Sequence, residues 1–448
     1  MEKLDYWNTH KQRRVARFVL YNNRLKNFDL PLIKLEITNL KNNYMLKKLF
    51  NILILFFPFL LIAQSEIFMP SLAYKHPNSS RIVAFQKQII KDKISASNQA
   101  LVFKDGKIIY HHIENSMKTG DKEITDKTIF PIWSMSKPIT IVAIMILFEK
   151  GLLDFDDPVS KYIPAFSHPI CEDEKGTYPC KSEVKLIDLM SHRSGYVTYK
   201  SYYIDVIKSE NLEELMNKIA NQRAGIEPGS KFLYGIDQSI LGRVIEVVSG
   251  KSFYDFLKEN LFDPLEMKNT KFYLTEKELD NVPPLFVKNN LVEGFLTDGV
   301  ISKADILTYY KNHLTHLGGE GLVSTISDYF NFCMMFLNNG SFNEKRIISP
   351  ESIQLITQKY SEGYPVEKNA FKDLLGFYYG LTVWVLEDSS ILNLYAPEGI
   401  FGKGGYHGTE FWIDQKNSMF GIFMTRALSN PEFRDGFIRS VYKDFPQF

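Results

Sequence analysis

The chain has 448 residues, 45% hydrophobic and 23% charged, with a formal net charge of +1. That is globular composition with enough apolar residues for a large core in one big domain or two lobes. No long Lys/Arg block lies outside the N-terminal region, so a nucleic-acid partner is excluded as the main function.

From Met45 the chain reads "MLKKLFNILILFFPFLLIAQS". Lys47 and Lys48 form a positive n-region, Leu49 to Ala63 an apolar stretch short for a membrane span, and Ala63-Gln64 a cleavage point. Residues 45–64 therefore read as a secretory signal peptide. Met45 then reads as the true start, with residues 1–44 a non-native or cytoplasmic leader. The alternative is an uncleaved anchor formed by residues 49–63, with a basic cytoplasmic tail. Without residues 1–63, 42 basic groups face 48 acidic ones, a net charge of −6. The expected location is exported, periplasmic or secreted.

A helix is predicted over about Ser80–Lys93. "ALVFKDGKIIYHH" alternates around Asp105-Gly106, which predicts a hairpin. "PITIVAIMILFEKG" is apolar all round, which predicts a buried helix stopped by Gly151; Pro138 must lie in its first turn, so the start falls near Ser134. Cys171 and Cys180, in the polar stretch "CEDEKGTYPC", could close a short disulfide loop in an oxidising compartment, whereas Cys333 sits among apolar residues as a buried thiol.

Residues 155–310 read as loop- and helix-rich. In "DQSILGRVIEVVSG" one apolar face carries Ile240, Leu241, Val244, Ile245 and Val248, with Asp237 as N-cap and Gly250 as stop. A further helix is expected at about Ser327–Leu337. Strands return in "YYGLTVWVLE", "TEFWID" and "SMFGIFMTR", before a last helix at about Pro431–Lys443. Strands at both chain ends predict an α/β (α+β) fold: one antiparallel sheet flanked by helices, with an inserted, mainly helical subdomain. The expected domain spans 80–448, with a sheet lobe at about 80–154 and 315–448 and a helical lobe at about 155–314.

The chemistry centres on "IWSMSK". Ser134 and Lys137 are three apart and share a helix face, so the ammonium reaches the hydroxyl; Ser136 points elsewhere. A serine hydroxyl needs a base, and a lysine serves once burial or a neighbouring cation lowers its pKa. The spacing alone is weak, because Ser182–Lys185 and Ser440–Lys443 share it. Only Ser134 opens a wholly apolar helix.

The stretch "FPIWSMSKPITIVAIMILFEKGLLDFDDPVSKYIPAF" resembles the active-site region of serine β-lactamase-related hydrolases: class C β-lactamases, penicillin-binding carboxypeptidases and related esterases. "LIDLMSHRSGY", "EPGSKFLYGIDQSILGRVIEVVSG", "GGEGLVSTISDYFNF" and "FGKGGYHGTEFWID" resemble further family segments, in family order, from about Ser80 to Arg426. The resemblance implies a β-lactamase/transpeptidase-like fold. It implies Ser134 as nucleophile, Lys137 as its lysine, and Tyr234 as the second-motif tyrosine, its tyrosinate stabilised by Lys137 and taking the serine proton. It places the third motif at Lys403-Gly404-Gly405, with the backbone N–H of Tyr406 joining that of Ser134 as oxyanion hole.

Departures bear on substrate. The second motif is Tyr234-Gly235-Ile236, without the asparagine usual in β-lactamases and penicillin-binding enzymes. Lys403 is expected at the mouth of the cleft, drawing a substrate carboxylate or lowering the Tyr234 pKa; the plain alternative is a solvated strand-end lysine. His313 and His316 read as surface or capping residues, "GGEG" at Gly318–Gly321 as a turn, and no metal site or α/β-hydrolase elbow appears. The expectation is an exported carboxylesterase acting on small or medium acyl esters, or amides, through an acyl-enzyme. It needs no cofactor, no metal and no nucleic acid, and meets a membrane only through an uncleaved signal segment. The alternatives are a β-lactamase or D-amino-acid peptidase, and a non-catalytic peptidoglycan- or drug-binding protein.

Overall fold

The computed structural model describes residues 74–288, 293–296, 309, 312–361 and 375–446. The expected leader (1–44) and signal segment (45–64) lie outside the described residues. No helix among the described residues is long and apolar enough to cross a membrane.

Chain order gives β1 (Tyr74–Lys75), α1 (Ser80–Lys91), β2 (Asn98–Lys104) and β3 (Lys107–Glu114). Asp105 and Gly106 both take positive φ, 49° and 80°, the twist a two-residue hairpin needs. Then come α2 (Ser136–Glu149), α3 (Tyr202–Lys208), α4 (Asp237–Ser249) and α5 (Ile326–Leu337). The C-terminal part supplies β4 (Phe377–Tyr379), β5 (Trp384–Leu386), β6 (Phe401–Gly404), β7 (Thr409–Asp414), β8 (Met419–Thr425) and α6 (Asp435–Asp444).

These strands form one antiparallel sheet in the order β1-β3-β2-β8-β7-β6-β5-β4, with both chain ends meeting at the β2–β8 pair. The fold class is the one expected. Side chains alternate between two cores, the period a strand dictates. Leu101, Phe103, Phe420 and Ile422 join the core containing α2 and α5. Ala100, Val102, Met419 and Phe423 face α1 and α6. Covering both faces explains why "ALVF" is apolar without a break.

Helix α2 is buried from Ser136 to Leu147, as its all-round apolar pattern requires. Its start differs from expectation. Trp133–Met135 form a 3-10 turn and the α-helix begins at Ser136. "YYGLTVWVLE" is two strands, β4 and β5, because the chain reverses at 380–383, where the Gly380 N–H donates to Val383 O at 2.9 Å. The last helix likewise breaks into a 3-10 turn, Pro431–Phe433, and α6. Gly250 ends α4 at φ 68°, the left-handed stop expected. Asp237, however, does not cap α4. Ile236 holds that position and the Asp237 carboxyl turns inward to Ser194 and His192.

Cys171 and Cys180 are disulfide-bonded across a short hairpin, Ile170–Asp173 with Gly176–Pro179. Cys333 is a buried free thiol. His316 is buried rather than on the surface, stacked on Phe272 at 4.6 Å, and His313 is half-buried against Val206 O at 3.2 Å. Both serve packing in the helical region.

Candidate active site

The turn Trp133–Met135 is fixed at both ends. The Ile132 N–H donates to Leu322 O at 3.0 Å, and Tyr329 Oη donates to Met135 O at 2.9 Å. Trp133 adopts φ 45°, a left-handed backbone that a bulky residue rarely takes. Its ring is clamped by His407 at 4.8 Å and Tyr406 at 5.5 Å. The strained residue thus sits directly before Ser134 and presents it on a tight turn.

Ser134 is half-buried and meets two proton carriers. Lys137 Nζ donates to Ser134 Oγ at 3.2 Å, and Tyr234 Oη donates to the same oxygen at 3.0 Å. The i, i+3 spacing survives the change from α to 3-10 geometry because Lys137 is in the first turn of α2. Ser136 goes the other way: its Oγ accepts the Leu322 N–H at 3.2 Å in the core. The two decoy pairs make local bonds: Lys185 with Asp156, and Ser440 with Phe437 O.

Lys137 is 2% exposed. It donates to Gly319 O at 2.8 Å and lies 3.7 Å from Glu320 Oε2. Burial lowers its pKa; the charge of Glu320, the largest opposing cause, does not reverse this. The "GGEG" segment, expected as a plain turn, is therefore part of the lysine's cradle. A Cβ on Gly319 would lie 3.2 Å from Nζ, tight enough to displace the ammonium.

Burial pushes the Tyr234 phenol up, and its bond to Ser134 opposes this only in part. In this structure the phenol is the donor to Ser134 Oγ. His192 stacks on the Tyr234 ring at 4.3 Å. Its Nδ1 lies 2.6 Å from Asp237 Oδ2 and accepts the Gly235 N–H at 3.3 Å. A nitrogen that accepts from an amide is unprotonated, so Asp237 supplies the shared proton. Burial agrees on both sides, raising Asp237 to about 8 and lowering His192 well below its usual range. The neutral pair packs behind Tyr234 without adding a charge.

Lys403 is on β6 but not at the mouth of a cleft. It is 3% exposed, donates to Tyr379 Oη at 2.7 Å, and lies 4.7 Å from the centroids of both Tyr234 and Tyr379. Burial first, then the charge of Lys137, lowers its pKa strongly. The reason is topological: β6 is an inner strand between β5 and β7, and Tyr379 arrives from β4. Gly404 and Gly405 let the strand end approach its neighbours. A Cβ at Gly405 would strike Ile132 O and Thr409 Oγ1, and one at Gly404 would strike Glu410. Gly405 so brings Tyr406, half-exposed, beside the Ser134 turn. Outside the helices and strands, among the described residues, neither the Ser134 nor the Tyr406 N–H donates to a backbone carbonyl.

Sequence reasoning gave no role to Glu320, Tyr379, His192 or Ser194. "GGEG" and "MSHRSG" carry no local signal of a site, because only tertiary structure, across 182 residues for Lys137–Gly319, gives them partners. Tyr203 was also missed. Half-buried on α3, it packs edge-on against Tyr202 at 5.0 Å, and the charge of Glu320 adds to the burial that raises its phenol pKa.

A sheet built from both chain ends and a Ser-Lys-Tyr cluster beside its inner strand β6 define a serine hydrolase of the β-lactamase and penicillin-binding type. The chain belongs to the Beta-lactamase family, whose model matches residues 87–440. It is 23% identical over 362 residues to a candidate D-alanyl-D-alanine carboxypeptidase of Escherichia coli (strain K12), covering 74% of this chain and 78% of that protein. It is 25% identical over 261 residues to penicillin-binding protein 4* of Bacillus subtilis (strain 168), covering 55% and 53%. Among solved structures it resembles EstCE1, a hydrolase with promiscuous acyltransferase activity, at TM-score 0.68 and 21% identity, covering 82% of this chain and 98% of that one. Simvastatin synthase (LovD) of Aspergillus terreus matches at TM-score 0.67 and 17% identity, covering 83% and 99%. These two likenesses show the fold.

Proposed function

We propose that the protein is an exported carboxylesterase that forms an acyl-enzyme on Ser134. The observation that carries the mechanism is the sharing of Ser134 Oγ by Lys137 Nζ at 3.2 Å and Tyr234 Oη at 3.0 Å. The lysine, lowered by burial, is the better base; the phenol, raised by burial, is the proton donor. Neutral Lys137 takes the Ser134 proton as Oγ bonds to the ester carbonyl carbon. The oxyanion forms against the backbone N–H groups of Ser134 and Tyr406. The carbon–oxygen bond to the leaving group breaks, the alcohol takes a proton from Tyr234, and Lys137 restores it. Water then attacks the acyl-enzyme, gives its proton to the same relay, and releases the acid and Ser134.

Two features favour esters. Ile236, 2% exposed, holds the position where an asparagine amide would meet a lactam or peptide amide, and Lys403 is bound to Tyr379. The Cys171–Cys180 disulfide fits an oxidising compartment, which supports export with the signal-like segment. The name of the Escherichia coli relative favours a second reading, a D-amino-acid peptidase. Rates on a p-nitrophenyl ester series, a chromogenic cephalosporin and a D-Ala-D-Ala peptide, with Ser134→Ala as control, separate the two. Ester turnover should exceed lactam turnover at least ~10-fold, ~1.4 kcal/mol in barrier. Lactam or peptide turnover above ester turnover overturns the esterase reading.

A further inference from the structure

Glu320 is an acidic side chain placed inside a site whose chemistry does not require one. It is 7% exposed and its carboxylate lies 3.7 Å from Lys137 Nζ. With Nζ 3.2 Å from Ser134 Oγ, the two distances bound the carboxylate within about 7 Å of the nucleophile. At that range, in a site screened from water, a full charge acts strongly on a charged substrate. The two lysines at the nucleophile do not offset it. Lys137 acts as a neutral base, its pKa lowered by burial, and Lys403 is buried and bound to Tyr379, with burial lowering its pKa as well.

We propose that Glu320 makes the Ser134 site selective for neutral acyl groups: beside Lys137 acting as a neutral base, its carboxylate is the uncompensated charge at the nucleophile and repels carboxylate-bearing substrates, while it positions Lys137 against Ser134. The inference rests on the acyl-enzyme reading and names the substrate class within it: uncharged esters, with acyl groups ending in a carboxylate rejected. Gly319 fixes the geometry, because its carbonyl holds Nζ at 2.8 Å while the next residue carries the carboxylate. The backbone that grips the lysine therefore also delivers the charge.

Other groups face this pair. Lys137 is also met by Ser134 on its own turn, by Tyr234, by Asp237 of α4, and through space by Lys403 of β6 and His192. Tyr202 and Tyr203 of α3 face Glu320. The carboxylate holds the Lys137 proton on, so removing its charge makes the lysine a base at lower pH.

The test compares p-nitrophenyl butyrate with the p-nitrophenyl hemisuccinate ester, anionic at pH 7, for wild type, Glu320→Gln and Glu320→Asp. Wild type should favour the neutral ester in kcat/KM by at least ~10-fold. Glu320→Gln should narrow that ratio at least ~5-fold and move the acid limb of kcat/KM to lower pH. Glu320→Asp should keep both near wild type, which a loss of packing would not do. Wild type that hydrolyses the hemisuccinate as fast as the butyrate overturns the proposal without any variant. So does a Glu320→Gln enzyme with unmoved ratio and pH limb. Ester turnover with an unmoved ratio removes only the role of Glu320; no ester turnover by wild type removes the esterase reading and this inference together.

Discussion

Replacing Ser136 by alanine should cost stability and spare chemistry, the reverse of Ser134→Ala two residues away. Ser136 is fully buried, and its Oγ accepts the N–H of Leu322, itself buried, at 3.2 Å. Without the hydroxyl that N–H has no acceptor in the core, a loss of ~1–3 kcal/mol. Unfolding entropy of roughly 2.1 cal/mol/K per residue, over about 340 described residues, makes each 1 kcal/mol worth ~1.4 °C. Tm should therefore fall by ~1–4 °C, while kcat per folded molecule stays within ~3-fold, since no reacting atom is touched. Ser134→Ala should lose at least ~10³-fold in kcat with little change in Tm. Thermal scans and burst-corrected p-nitrophenyl ester kinetics on both variants provide the check. Equal activity losses in both, or a Ser136→Ala protein with unchanged Tm and abolished activity, would refute the assigned directions of the two hydroxyls.

Tyr234→Phe should lower kcat ~10²–10⁴-fold at every leaving group that needs a proton, and less for p-nitrophenolate, which leaves without one; a uniform loss across leaving groups contradicts the donor role. Glu410, buried beneath Gly404, is raised to about 8 by burial, so the folded state holds a proton that the unfolded state releases above the usual glutamate range. Its stabilisation is complete below pH ~4.5 and is lost as pH rises through about 8. Glu410→Gln should therefore flatten the fall in Tm between pH 5 and pH 8, and an unchanged slope would place the proton elsewhere. Reducing the Cys171–Cys180 bond, which spans 9 residues in sequence, should cost ~2–3 kcal/mol by loop entropy and leave ester kcat unchanged. Loss of activity at unchanged Tm would tie that hairpin to the site.

Much of this site was legible because its rules are local. Helical spacing selects Ser134 over Ser136, and an all-apolar run forces Lys137 into the core. The two-residue signal Asp105-Gly106 likewise needs only its own neighbours. Misreadings occurred where distant chain decides. Asp237 has the right local pattern for a cap, but a buried histidine and serine 45 and 43 residues away hold its carboxyl instead. Lys403 is expected at the mouth of the cleft, yet Tyr379 from a strand two places along the sheet encloses it. Glu320 was invisible as a site residue, because its loop meets Lys137 only through the tertiary fold.

The central claim is a covalent intermediate on Ser134. Intact-mass analysis after incubation with a fluorophosphonate, followed by peptide mapping, tests it most directly. The account predicts one adduct per chain, mapped to Ser134, absent in Ser134→Ala and formed at least ~10²-fold more slowly in Lys137→Met, which lacks the base. No adduct on the wild-type protein, or an adduct on Ser136 or another serine, would contradict it.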